Sequence, residues 1–64
     1  MKIYKLSENI SYMVEHENKV YLVIRFHRID LNKIIYDVTL DGVEVKDLEL
    51  KKYLINEVEK YGSK

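Results

Sequence analysis

The chain has 64 residues with eleven basic and eleven acidic side chains, so no net field draws it toward nucleic acid or an anionic lipid surface. It contains no cysteine and two histidines, which excludes disulfides and thiolate zinc sites, leaves no set of imidazoles for a metal, and implies no cofactor. A single domain of residues 1–64 hides only about 60% of its unfolded surface, so self-association is the remaining common source of stability.

No apolar stretch reaches the roughly 20 residues that span a bilayer, and Met1-Lys2-Ile3-Tyr4-Lys5-Leu6 lacks the long apolar segment of a signal peptide. The expectation is therefore an intracellular, cytoplasmic protein without a membrane partner. Ala, Pro, Gln, Trp and Cys are absent while Lys, Glu, Ile, Val and Tyr are plentiful. That usage fits AT-rich codons, and it also fits a thermophilic source.

Taken in order, Ile3 to Leu6 reads as a short edge strand that would make a fifth, and Ser7-Glu8-Asn9 as a turn. From Ile10 to His16 the pattern alternates, with Ile10, Tyr12 and Val14 on one face and Ser11, Met13 and Glu15 on the other. Glu17-Asn18 then forms a tight turn, because Asn tolerates positive φ. Residues 19–29 are the longest strongly apolar run and complete an antiparallel hairpin. Val20, Leu22, Ile24 and Phe26 alternate there with Tyr21, Val23, Arg25 and His27. The first set is expected to face the core, and the second to lie on an uncovered face.

After the polar break Asp30-Leu31-Asn32, Lys33 to Leu40 alternates again, with Ile34, Tyr36, Val38 and Leu40 toward the core and Lys33, Ile35, Asp37 and Thr39 opposite. Asp41-Gly42 is a strong hairpin signal, and Val43 to Lys46 returns as a last short strand. From Asp47 to Tyr61 the period changes to that of a helix, with Leu50, Leu54, Val58 and Tyr61 in one stripe. Asp47 is placed to cap its start, and Gly62 to stop it. The fold expected is α+β: an antiparallel meander of four or five strands over residues 3–46, with one helix over 47–61 packed on one face.

Catalytic signals are weak. His16 and His27 share no spacing that completes a site, no serine has the flanking glycines of a nucleophile elbow, and neither glycine belongs to a phosphate loop. The chain reads as a non-enzyme with no catalytic, cofactor or metal residues. The face left bare by one helix carries the functional expectation: Met13, Tyr21, Val23 and Ile35 as an apolar centre, with Arg25, His27 and Asp37 as a polar rim. The preferred reading is a small protein-interaction module that forms a homodimer or docks on another protein. By analogy with compact viral and mobile-element accessory proteins, a host protein is the second partner weighed. The alternative is a nucleic-acid binder in which Tyr21 stacks on a base while Arg25, His27 and Lys33 meet phosphate.

Overall fold

Three turns set the architecture, and each has residues that accept the backbone it needs. Glu17 and Asn18 both hold positive φ, 50° and 63°, as the two-residue turn between β1 (Ser7–His16) and β2 (Lys19–Arg28) demands. Between β2 and β3 (Lys33–Leu40) a four-residue loop closes with Asn32 N–H donating to the Ile29 carbonyl at 3.3 Å and with Asn32 at φ 51°. Asp41 and Gly42, at 52° and 81°, turn the chain into β4 (Val43–Glu44). The computed structural model describes residues 2–3 and 5–62.

The strands form one antiparallel sheet in the order β1-β2-β3-β4, with the single helix α1 (Leu48–Gly62) packed against it, so the α+β meander is the fold of the chain. β1 begins earlier than the alternation suggested, because Ser7, Glu8 and Asn9 pair with Arg28, His27 and Phe26 instead of turning. No fifth strand precedes it among the described residues. Ile3, Lys5 and Leu6 lie outside any strand, and Tyr4 lies outside the described residues. The ladder still continues by one rung, since the Leu6 carbonyl accepts the Ile29 N–H at 2.8 Å. β4 is two residues long, and Val45 adds a bond from its N–H to the Val38 carbonyl at 2.9 Å.

Asp47 opens the helix as its capping residue. Its Oδ1 accepts the N–H groups of Glu49 at 3.1 Å and Leu50 at 3.3 Å, two of the donors that a helix start leaves unpaired. Asp47→Ala is expected to cost about 1 kcal/mol. In a domain of this size that is a fall of roughly 4–8 °C in melting midpoint, read by circular dichroism, with Asp47→Asn retaining most of the stability. Gly62 does not stop the helix as a left-handed residue; it belongs to the last turn.

The core is where the structure departs most from the sequence reading. Tyr21 and Val23 are 4% and 0% exposed and pack with Val38, Val45, Leu54 and Val58 beneath the helix. The covered face of β2 is thus the one carrying Tyr21, Val23, Arg25 and His27, the reverse of the expected assignment. Register is the cause. Residues directly opposite one another share a face, and His16 opposite Lys19 places the even positions of β1 against the odd positions of β2. Tyr12 therefore stands with Val23, and Val14 with Tyr21. Across the next loop Arg28 faces Lys33, so Val38 stands with Val23 and Leu40 with Tyr21.

A 15-residue helix is about 22 Å long, and ten-residue strands run about 33 Å. The helix therefore covers the part of the sheet nearest the β1–β2 turn and leaves the end bearing Glu8, His27 and Ile34 beyond it. Two ring contacts pin its outer flank to β1. Tyr61 meets Tyr12 edge-on at 6.1 Å, and Tyr53 lies 4.9 Å from the His16 ring. No helix of the described residues is long and apolar enough to cross a membrane.

Candidate interaction face

With Tyr21 and Val23 under the helix, the opposite face of β2 presents Val20, Leu22, Ile24 and Phe26 in an unbroken column along a central strand. Val20 and Leu22 are exposed, and Ile24 and Phe26 are half-buried by their neighbours within the sheet alone. Met13 stands opposite Leu22 at 78% exposure, and Ile35 stands opposite Phe26 at 48%. Ser11 and Asp37 flank Ile24, Asn9 flanks Phe26, and Thr39 flanks Leu22, so the apolar column has a polar margin on both sides. None of the described residues covers it.

The ends of this face differ in charge. Glu15 stands opposite Val20 near the β1–β2 turn, while Arg28 and Lys33 face each other at the far end. Arg28 is already engaged, donating to Asp30 through Nε at 3.0 Å and Nη2 at 2.7 Å. This fork holds the Asp30 carboxyl below its ordinary pKa and raises that of Arg28. Among the described residues Lys33 and Glu15 form no ion pair. They remain as the basic and acidic ends of the stripe.

Of the seven residues expected at the interface, the structure keeps Met13, Ile35 and Asp37 together and removes four. Tyr21 and Val23 are core residues. Arg25 and His27 share their face, beside and beyond the helix end. Arg25, half-buried, stands between Ile10 and Tyr36 on the floor of a groove of about 570 Å³ that Val58, Glu59 and Gly62 close from above. His27 lies between Glu8 and Ile34. Lys5, bonded to Glu8 at 2.7 Å, is the main cause of a lowered Glu8 pKa, to which His27 and Arg25 add at longer range.

The residues named for nucleic-acid contact are divided in the same way. Lys33 lies on the open face, Arg25 and His27 lie on the covered one, and Tyr21 has no ring surface free for stacking. Among the described residues no three His, Cys, Asp or Glu side chains gather where a metal ion could be shared. Leu22, Ile24 and Phe26 are the surface residues that sequence reasoning missed. The signal that finds them is turn length, which sets the parity of pairing across each hairpin. Against family models, curated proteins and solved structures, the chain matches none.

Proposed function

We propose that this chain is a small non-catalytic interaction module that associates with a second copy of itself through the uncovered sheet face. The observation that carries the reading is the column Val20, Leu22, Ile24 and Phe26, joined by Met13 and Ile35, left bare on the middle of a four-stranded sheet. An apolar centre with a polar margin is the anatomy of a protein interface.

Charge supports a second copy as the occupant. Two sheets packed face to face about a two-fold axis across the strands set β2 antiparallel over β2, which brings the end of one face over the opposite end of the other. β1 then lies over β1 and β3 over β3, so Glu15 of each copy comes over the Ser7–Arg28 end of the other, and the acidic end of one face meets the basic end of its partner. The small twist between aligned sheets, about 30°, leaves the two columns in register along their middle.

Light scattering behind a sizing column, over a range of concentrations and salt, tests this. The expected result is a mass of at least twice the chain's 7.7 kDa that holds as salt rises, because apolar burial does not depend on unscreened charge. A mass of one chain at every concentration contradicts self-association, and the bare column would then belong to a different protein.

A further inference from the structure

The free edge of β1 offers a second surface, distinct from the open face. β1 pairs with β2 along all ten residues and, among the described residues, has no strand on its other side. Because Leu6 bonds to Ile29, alternation of the antiparallel ladder turns the backbone groups of even positions toward β2. The N–H and C=O groups of Ser7, Asn9, Ser11, Met13 and Glu15 point away from the sheet. Long edges are ordinarily guarded by Pro, Lys or a bulge. β1 contains no Pro, Lys or Arg, and its register runs unbroken from Ser7–Arg28 to His16–Lys19. The opposite edge, β4, is only two residues long.

We propose that a second copy of the chain adds its own β1 to this edge, antiparallel, to make one continuous eight-stranded sheet. Since only odd positions offer outward groups, odd residues must meet odd residues across the junction. Both helices then lie on one side, and the two uncovered faces join into one. Centring the two-fold on Tyr12 sets Ile10 against Val14 of the second copy and Glu8 against His16. Shifting by one rung either way puts Glu8 against Val14 or Ile10 against His16, so the register centred on Tyr12 alone keeps apolar beside apolar and acid beside imidazole. A groove of about 780 Å³ runs along this edge between Tyr12, Met13 and Val14 below and Glu57 and Tyr61 above. It is the space that the incoming Tyr12 and Ile10 side chains need.

The test separates this edge from the open face by using the double variant Leu22→Ser, Phe26→Ser as background. In that background Ser11→Pro removes one outward N–H without touching a bond to β2. The chain with only the face variant is expected to remain a dimer in light scattering, and adding Ser11→Pro is expected to give monomers with an unchanged circular dichroism spectrum. In the same background Glu8→Lys or His16→Glu alone is expected to weaken association by roughly tenfold, with the two together recovering to within about twofold of the background. A folded Ser11→Pro chain that associates as strongly as its background overturns the edge. Should Ser11→Pro fail to fold, charge variants that leave association unchanged overturn it. The face proposal fails by a different result, a wild-type mass unaltered by the background substitutions.

Discussion

Leu54→Ala is expected to lower the melting midpoint by roughly 10 °C or more, the largest effect of any single truncation in the helix. Leu54 has no exposed surface and sits with Val23 and Val38, which also have none, at the centre of the one contact between helix and sheet. A Leu→Ala change at such a site costs about 2–5 kcal/mol, the lost transfer energy plus the cavity left behind. A core in a chain this short rarely supplies more than about 3–5 kcal/mol, so the variant retains little reserve. At about 4–8 °C per kcal/mol the shift is plain in a thermal scan followed by circular dichroism. A midpoint within a few degrees of wild type would mean that the helix contributes far less to the fold than its burial implies.

The second large effect falls on association. Leu22→Ser with Phe26→Ser is expected to weaken binding through the sheet face by at least about two orders of magnitude, since central apolar anchors are worth about 2 kcal/mol or more each. The secondary structure should persist, because neither side chain reaches the core beneath the helix. Tyr21→Ala and Val23→Ser are expected to do the opposite. They remove buried residues, so they should unfold the chain, and any loss of association would follow from loss of fold. Comparing the two pairs by scattering and circular dichroism distinguishes a surface from a core. If the Leu22 and Phe26 variant unfolded while the Tyr21 and Val23 variants stayed folded, the assignment of faces would be inverted.

That inversion is the one the alternation pattern invites. Period-two spacing identifies which residues of a strand lie together, and it did so for all three long strands. It does not say which of the two sets is covered. In β2 the choice by apolarity favours Leu22, Ile24 and Phe26 over Tyr21, Val23 and Arg25, and that choice is wrong because the more apolar set is on the open side. Pairing rules contain the missing step. A two-residue turn at Glu17-Asn18 makes His16 and Lys19 partners, so a core face holding Tyr12 and Val14 must also hold Tyr21 and Val23. The four-residue loop gives the same parity with Tyr36 and Val38.

Elsewhere the local chemistry was explicit. Asp41-Gly42 and Asn18 occupy the positive-φ positions that their residue types suit, and Asp47 caps the helix as its side chain predicts. The first turns of the chain were not legible, because Ser7, Glu8 and Asn9 have weak strand preference and are held in β1 by their partners Arg28, His27 and Phe26. Arg25 misled for a related reason. A guanidinium looks out of place on a core face, yet the last turns of the helix stand over it across an open groove, and that groove leaves it access to water.

Isotope-filtered nuclear Overhauser spectra on an equimolar mixture of labelled and unlabelled chains test most directly the claim that the bare column of β2 is the contact surface. Contacts between copies are expected from the Phe26 ring and from the methyl groups of Leu22, Ile24, Ile35 and Met13. An associated protein showing no such contacts at these five residues would contradict it.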